Sequence, residues 1–224
     1  MLGALSACEP ASSAAARDAG DDAVLDALEV DGSPLGAPPG MPDLQFVGAE
    51  MNEIFVTRDP FSADDCEVKE GCVAEPGERM LLRFDTVTAN RGTEDLKIGV
   101  PPDAGQSDAT FEWSECHKHH HFTSYTRYEL VSSTGAVITA RKQSFCVQDA
   151  EPVRFGARSN EYTCLNQGLS RGWADVYSRY TACQWIDVTD VPSGAYTLRI
   201  IVNPLHTLPE SDYDNNVFSI DVQL

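Results

Sequence analysis

The sequence lacks the features of several common functional classes. It has no run of about 18 apolar residues, so we predict no transmembrane helix. Basic residues are few, with 16 Lys and Arg against 35 Asp and Glu, and a formal net charge of -19 argues against nucleic acid as a partner. No HExxH-type motif is present, which makes a zinc hydrolase a weak interpretation.

Aromatic residues are absent from residues 9–41, which are rich in Ala, Asp, Ser, Gly and Pro. Such a segment cannot bury enough apolar surface to offset its ordering entropy, so we predict a disordered acidic tether over residues 1–41 and a folded domain over 42–224. Leu5-Ser6-Ala7-Cys8 resembles the cleavage site of bacterial lipoproteins, in which Cys8 would carry the lipid. The residues before it are too few and too uncharged for a complete signal peptide.

Seven cysteines indicate an oxidising compartment with disulfide bonds. From Asp43 onward, short runs of alternating apolar and polar residues are separated by turn residues, as in Tyr196–Val202 and Asn216–Val222. This pattern predicts an all-β domain, an immunoglobulin-like β-sandwich with long loops and little helix. Only residues 169–180 hint at a helical period.

The most informative segment runs from Trp113 to His121 and holds four of the chain's five histidines. In an extended segment, side chains two positions apart share a face, so His117, His119 and His121 would point one way and His120 the other. Three converging imidazoles suit copper or zinc. We therefore predict a metal site in place of a chance histidine run on a solvated loop, and we expect His120 to face solvent.

Several further motifs follow the histidines in a definite order. The segments are Trp113-x-x-Cys116-His117-x-His119-x-His121, Lys142-Gln143-Ser144-Phe145-Cys146, Gln167-Gly168-Leu169-Ser170, Asp175-Val176-Tyr177, Cys183 to Val191, and Pro209 to Asn216. Together they resemble the catalytic domain of the lysyl oxidase family, in a compact bacterial-type form that covers roughly residues 42–224.

The resemblance implies a copper amine oxidase whose cofactor, lysine tyrosylquinone, forms from its own side chains. By position, His117, His119 and His121 would bind copper(II), and Lys142 and Tyr177 would be cross-linked into the quinone. The reaction would convert primary amines, either peptidyl lysine or small amines, to aldehydes. Dioxygen would be the oxidant, and hydrogen peroxide and ammonia would be released.

The general base is open between two carboxylates. Asp175 lies two residues before Tyr177 and is our candidate catalytic base, whereas Asp149 lies nearer to Lys142. Either carboxylate could instead stabilise a turn.

Disulfide pairing is likewise open, because six cysteines allow fifteen pairings. The family pattern implies Cys66–Cys72 and Cys116–Cys164. Cys146 and Cys183 lack their usual partners, and they follow Lys142 and Tyr177 closely. We expect these two cysteines either to bond to each other or to remain as buried free thiols.

The acidic segment near the C-terminus resembles a calcium-binding motif of some relatives, which also use an Asp-Leu pair near the start of the domain. Carboxylate, carboxamide and backbone oxygens are the ligands that calcium prefers. The candidate ligands are Asp43, Leu44, Glu210, Asp212, Asn215 and Asn216. The alternative is a turn in which Asp and Asn side chains bond their own backbone.

Two functions from different classes fit these observations. The first is an extracytoplasmic copper- and quinone-dependent amine oxidase, secreted or anchored at a bacterial cell envelope through Cys8. The second is a non-catalytic copper-binding module for adhesion or sequestration that kept the fold and lost the cofactor. Lys142 and Tyr177 are both present, which favours the enzyme.

Overall fold

The computed structural model describes residues 40–48, 54–141, 145–153, 157 and 160–224. Within these residues it contains fifteen strands and one four-residue helix, α1 (Cys66–Lys69). The predicted all-β fold with little helix is confirmed. Among the described residues, no helix has the length and the apolar composition needed to cross a membrane.

Two antiparallel sheets have four strands each. The first has the order β1 (Leu44–Phe46), β4 (Thr86–Asn90), β12 (Trp173–Tyr177) and β10 (Glu151–Pro152). The second has the order β15 (Val217–Gln223), β14 (Ala195–Val202), β8 (Thr126–Ser132) and β9 (Val137–Thr139). The alternating segments near the C-terminus thus form the hairpin β14–β15, as their pattern predicts.

Three smaller sheets complete the domain. One has the order β13 (Trp185–Asp187), β3 (Gly77–Arg83) and β2 (Phe55–Phe61). The other two are the pair β11 (Gln167–Leu169) with β5 (Leu96–Gly99) and the hairpin β6 (Phe111–Ser114) with β7 (His119–Phe122). One main core unites them, since apolar side chains from β1, β3, β5, β6, β7, β8 and β14 all contribute to it.

The weak helical period at residues 169–180 does not produce a helix. Strand β12 occupies Trp173–Tyr177 and pairs antiparallel with β4, so that Asp175 lies opposite Thr88 and Tyr177 opposite Thr86. Every residue of β4 is buried. A strand that pairs with β4 gains ladder hydrogen bonds and packing, and these outweigh the weak helical propensity of residues 169–180. The consequence is that Asp175 and Tyr177, two positions apart, share a face.

All six described cysteines form disulfides, but the predicted partners are wrong. The observed bonds are Cys66–Cys116, Cys72–Cys183 and Cys146–Cys164, with Cα–Cα distances of 5.7, 5.3 and 5.2 Å. The pairs Cys66–Cys72, Cys116–Cys164 and Cys146–Cys183 therefore do not form, and neither Cys146 nor Cys183 is a free thiol.

The helix α1 and the turn after it explain why the two nearest cysteines in the sequence do not pair. Cys72 packs into a small apolar cluster with Leu81, Trp185 and its partner Cys183. Cys66, at the start of α1, instead bonds to Cys116 in the turn between β6 and β7. The Cys72–Cys183 bond joins the loop before β3 to the turn before β13, two strands of one sheet, and the Cys66–Cys116 bond joins α1 to the histidine hairpin.

Candidate active site

The histidine cluster lies on the hairpin β6–β7. His119 and His121 belong to strand β7 and lie opposite Ser114 and Glu112, while His120 lies opposite Trp113. Strand geometry therefore places His119 and His121 on one face and His120 on the other, as the spacing predicts.

His117 reaches the same face from outside the strand. It lies in the turn between β6 and β7, where Lys118 adopts a positive φ of 59°. Its backbone N–H donates to Ser114 Oγ at 2.9 Å, and the Lys118 N–H donates to Ser114 O at 2.8 Å. The turn thus folds His117 back toward strand β7. His117 therefore reaches the face of His119 and His121 through a turn, and not through a fully extended segment.

The three imidazoles converge on one point. Their potential ligand atoms, one for each of His117, His119 and His121, lie within 4.8 Å of one another. The Nε2 atoms of His119 and His121 are 3.0 Å apart. Two nitrogens that each lie about 2.0 Å from one ion are separated by roughly 3 Å, so this spacing fits shared coordination of a small divalent metal. Nitrogen donors of this type suit copper or zinc.

His120 is buried, so the expectation that it faces solvent is wrong. Its side chain packs at 4.9 Å from the Trp113 ring in a T-shaped arrangement, and its Nε2 lies 2.9 Å from the backbone oxygen of Gln106. Packing on the Trp113 side of the hairpin therefore accounts for its burial. The other three histidines of the segment, His117, His119 and His121, are the candidate metal ligands.

Gln167 links the histidine strand to the segment that follows Phe145. This fully buried side chain donates from Nε2 to the backbone oxygen of His120 at 2.8 Å and accepts at Oε1 from the Val147 N–H at 3.0 Å. Phe145 also accepts a backbone hydrogen bond from the N–H of Phe122, the last residue of β7, at 2.8 Å. The two segments are therefore held in register beside each other.

Tyr177 lies close to this junction. Its ring packs on the Phe145 ring with a centroid distance of 4.4 Å, and the His121 ring lies 6.3 Å from the same Phe145 ring. Phe145 is thus the ring that lies next to both His121 and Tyr177. Lys142, three positions before Phe145, lies outside the described residues.

The Tyr177 hydroxyl faces Asp175. It donates to Asp175 Oδ2, and its oxygen lies 2.8 Å from the backbone oxygen of Cys146. Burial, and then the charge of Asp175, raise the pKa of Tyr177 well above its ordinary value. Burial also raises the pKa of Asp175 well above its ordinary value, while the Tyr177 hydrogen bond opposes that shift. Loss of the protons of both the Asp175 carboxyl and the Tyr177 hydroxyl would place two negative charges side by side in a buried site. The pair therefore keeps at least one proton, in the hydrogen bond between the two groups.

Polar groups that the sequence analysis did not single out surround this pair. Thr86 and Thr88 lie opposite Tyr177 and Asp175 across the strand pair, and both are completely buried. Tyr125 and Tyr128 are also completely buried, and the negative charge of Asp175 contributes to the raised pKa of each, after burial itself. The sequence signal for these polar groups was the alternation of Thr with apolar residues in β4, because strands buried on both faces are usually apolar throughout.

The Asp149 carboxylate has a structural role. Its carboxylate accepts hydrogen bonds from the N–H and hydroxyl of Ser170 and from the N–H groups of Glu161 and Tyr162. These four bonds join two loops and leave the carboxylate fully occupied. Of the two carboxylates considered as the base, Asp175 is the one that contacts Tyr177.

The candidate calcium ligands form a second, separate cluster. Glu210 accepts from the backbone N–H of Leu44 at 2.7 Å and from the amides of Asn203 and Asn216 at 2.5 and 2.8 Å. The Asn215 amide lies 3.3 Å from both oxygens of Asp43. The start of the domain is thereby joined to the closing turn; we call this cluster, comprising Asp43, Leu44, Glu210, Asp212, Asn215 and Asn216, the acidic clamp.

The acidic clamp retains oxygen atoms available to a cation. The amide oxygens of Asn215 and Asn216 are buried and accept no hydrogen bond among the described residues. Burial raises the pKa of Asp43 and of Glu210 above their ordinary values, and the charge of Asp212 adds to the effect on Asp43. A hard cation would satisfy the amide oxygens and neutralise these carboxylates, so the donor set fits calcium.

Comparison with known proteins adds independent findings. A family model described as lysyl oxidase matches residues 42–224. The chain is 34% identical over 200 residues to protein-lysine 6-oxidase of Gallus gallus, covering 84% of this chain and 46% of the relative. It is 33% identical over 200 residues to protein-lysine 6-oxidase of Sus scrofa, covering 84% of this chain and 77% of that relative.

Other matches are more partial. Lysyl oxidase homolog 2 of Mus musculus is 36% identical over 171 residues, covering 70% of this chain and 21% of the relative. The chain thus spans about half the length of the chicken relative and about a fifth of the mouse one. A solved CARDB domain from Pyrococcus furiosus aligns with 86% of this chain and 97% of its own length at 12% identity, with a TM-score of 0.34.

Proposed function

Because the chain belongs to the lysyl oxidase family, we propose that it is a copper- and quinone-dependent oxidase of primary amines. The substrate class is peptidyl lysine or small primary amines. An amine, dioxygen and water would be converted to an aldehyde, hydrogen peroxide and ammonia. One observation supports this most strongly: the Phe145 ring lies next to both His121, one of three converging imidazoles, and the buried Tyr177, whose hydroxyl donates to Asp175.

His117, His119 and His121 would hold the copper ion. Bound copper would supply a redox centre that promotes oxidation of Tyr177 by dioxygen. The chain contributes the orientation of the three rings, through the hairpin register and the turn at Ser114. It also contributes a nearly dry environment, since His121 and Tyr177 are both almost fully buried.

Tyr177 and Lys142 would supply the two halves of the quinone cofactor. Once formed, the quinone would supply an electrophilic carbonyl that accepts the electrons of amine oxidation. Lys142 is separated from Phe145 by only three positions, a span of at most about 11 Å of extended chain. Since the Phe145 ring packs on Tyr177, this short chain separation supports the proposed cross-link.

Asp175 would act as the proton acceptor. Its carboxylate accepts the hydrogen bond of the Tyr177 hydroxyl, so it can take the phenolic proton when Tyr177 is oxidised. A carboxylate whose pKa is raised by burial is also a stronger base than an exposed one. In the working enzyme we assign it the role of general base for the substrate amine.

The Tyr177→Phe variant tests the proposal. It should abolish quinone absorbance and amine-dependent peroxide release, because the oxygen that becomes part of the quinone is gone, while copper content stays unchanged. Tyr180→Phe, at an exposed tyrosine on the following turn, is the control and should behave as wild type. A cross-linked Lys142–Tyr177 peptide, detected by mass spectrometry in wild type alone, would identify the cofactor directly. Peroxide release by Tyr177→Phe at the wild-type rate would contradict the mechanism.

A non-catalytic copper-binding module is the alternative outcome. Wild-type protein that binds copper but forms no quinone and releases no peroxide with any amine tested would favour adhesion or sequestration. An amine panel that includes a lysine peptide and small diamines separates the two substrate classes.

The proposed location is extracytoplasmic, either secreted or lipid-anchored at a bacterial cell envelope. Three disulfides among the described cysteines support an oxidising compartment. Cys8, the proposed lipid attachment site, lies outside the described residues. Metabolic labelling with a radioactive fatty acid should mark wild type and not Cys8→Ser.

A further inference from the structure

Glu70 is a carboxylate that lies beside His117 and that no sequence motif singles out. Its Oε2 is 3.8 Å from His117 Nε2, and its side chain is only 14% exposed. Its other oxygen accepts a hydrogen bond from the Ser114 hydroxyl. The oxygen of that hydroxyl in turn accepts from the His117 backbone N–H at 2.9 Å. Glu70 therefore contacts both the ring of His117 and the group that supports its backbone.

The position of Glu70 is determined by the fold. It caps the C-terminus of α1, where its N–H donates to Cys66 O at 2.8 Å. The disulfide Cys66–Cys116 joins α1 to the residue directly before His117. Two residues that are distant in the sequence are thus held side by side by a covalent bond and a hydrogen-bonded turn.

Glu70 lies outside the cluster of candidate ligands. The ligand atoms of His117, His119 and His121 lie within 4.8 Å of one another, and Glu70 is not part of that set. It groups instead with Cys72 and Cys183, which are bonded to each other and cannot act as thiolate ligands. The carboxylate therefore flanks the three histidines on the His117 side.

We propose that Glu70 is a positioning residue for the copper site, whose carboxylate faces His117 Nε2 at 3.8 Å and restrains the orientation of that ring. Histidines that bind metals usually donate their second N–H to a carboxylate or carbonyl, which fixes the ring and makes it a stronger ligand. The inference rests on the copper site proposed above, and it adds a residue to that site.

The test compares copper affinity in three single variants. Glu70→Ala should weaken copper binding by about 10- to 100-fold, the range typical for loss of such a partner. Glu70→Gln keeps an acceptor of the same shape and removes the charge, so its loss should be smaller. Glu115→Gln removes an equal charge from the same hairpin turn, at an exposed carboxylate paired with Lys118, and should leave the affinity unchanged.

Two readouts separate positioning from simple structural support. Competition with a chelator of known affinity gives the dissociation constant, and electron paramagnetic resonance of copper(II) reports its coordination. Both should change in the Glu70 variants and neither in Glu115→Gln. Ser114→Ala, which removes the support for the His117 backbone but keeps the carboxylate, should have a smaller effect than Glu70→Ala.

Several outcomes would overturn the inference. If Glu70→Ala keeps the wild-type copper affinity and copper(II) spectrum, then Glu70 only caps the C-terminus of α1 and accepts the hydrogen bond of the Ser114 hydroxyl. Should Glu70→Ala fail to fold, Glu70→Gln with an unchanged spectrum and affinity has the same meaning. Copper binding without quinone formation in wild type would contradict the proposed enzyme while leaving the Glu70 result intact. Absence of copper binding in wild type would overturn both.

Discussion

The histidine hairpin and the acidic clamp are assembled in opposite ways. The hairpin takes its three candidate ligands from five consecutive positions, and two of them belong to one strand. The acidic clamp joins groups separated by 166 positions, as in the hydrogen bond from Leu44 to Glu210. The first is therefore a product of local strand geometry, whereas the second exists only when the two ends of the domain meet.

The two regions also differ in exposure. His117 and His119 are half-buried and His121 is buried, whereas in the acidic clamp Asp43, Leu44, Glu210 and Asn216 are buried and only Asp212 is exposed. An open site suits a metal that takes part in a reaction, and a closed site suits an ion that stabilises the fold. We therefore expect loss of the hairpin metal to affect chemistry and loss of the clamp ion to affect stability.

His119→Ala should give the largest effect. It removes one of the three candidate nitrogen ligands, so copper should be lost on dialysis and no quinone should form. Elemental analysis and absorbance spectroscopy measure the two outcomes. The melting temperature and its response to calcium should stay close to wild type, which would separate the hairpin from the acidic clamp. Copper retained by His119→Ala but lost by His120→Ala would reverse the assignment of faces.

Removal of calcium should lower stability without altering copper content. A ligand that binds only the folded state stabilises it by about 2.7 kcal/mol at a hundredfold excess over its dissociation constant. Differential scanning calorimetry with a chelator that spares copper should show a lower melting temperature for wild type. Asp212→Ala should lose this sensitivity, and Asp214→Ala, at an exposed carboxylate in the same turn, should keep it. If calcium has no effect on wild type, the acidic clamp is a hydrogen-bonded turn without an ion.

The calcium effect should depend on pH in a definite direction. Burial raises the pKa of Asp43 and Glu210, so the folded state holds these protons more tightly than the unfolded state does. Without calcium, this contribution to stability is present at low pH and is lost as the pH rises through the folded-state pKa values. Calcium binds the ionised carboxylates, so its stabilisation should be small near about pH 4 and should grow toward about pH 7. A calcium response that is equal at both pH values would contradict the assignment of these two carboxylates as ligands.

His120→Ala should give the smallest effect on the metal. It removes the contact with Trp113 and the hydrogen bond with Gln106, so stability should fall by about 1–3 kcal/mol. Copper affinity should change far less than in His119→Ala. Chemical denaturation and the chelator competition assay, performed on the same preparation, would separate the two properties.

Strand alternation was informative wherever one face of a strand is buried. It identified the hairpin β14–β15 and the division of the histidine faces, because both depend on neighbours one or two positions apart. It did not identify strand β12, where pairing with the buried strand β4 outweighs a weak helical period. The burial of His120 was missed for a similar reason, since the contact with Trp113 forms across the strand pair.

Residues 1–39 of the tether, Cys8 and Lys142 stay as predictions, because they lie outside the described residues. Gly40 and Met41, the last two residues of the predicted tether, are instead hydrogen-bonded to Thr93. The identification of Lys142 rests on its place in the motif order and on the position of Phe145 three residues later. The domain boundary at residue 42 is likewise a prediction, although the matched family segment begins at the same residue.

The sequence by itself determined the all-β class, the three-histidine set and the family, because periodicity and motif order are properties of residues that are close along the chain. Only the tertiary structure decided which cysteines pair, that Asp175 faces the Tyr177 hydroxyl, and that Glu70 lies beside His117. The disulfide pairs and the Glu70–His117 contact join residues brought together by packing, and the Asp175–Tyr177 contact requires that their segment form a strand. A short linear pattern contains no information on which of the many compatible partners the folded chain will bring within a few ångströms.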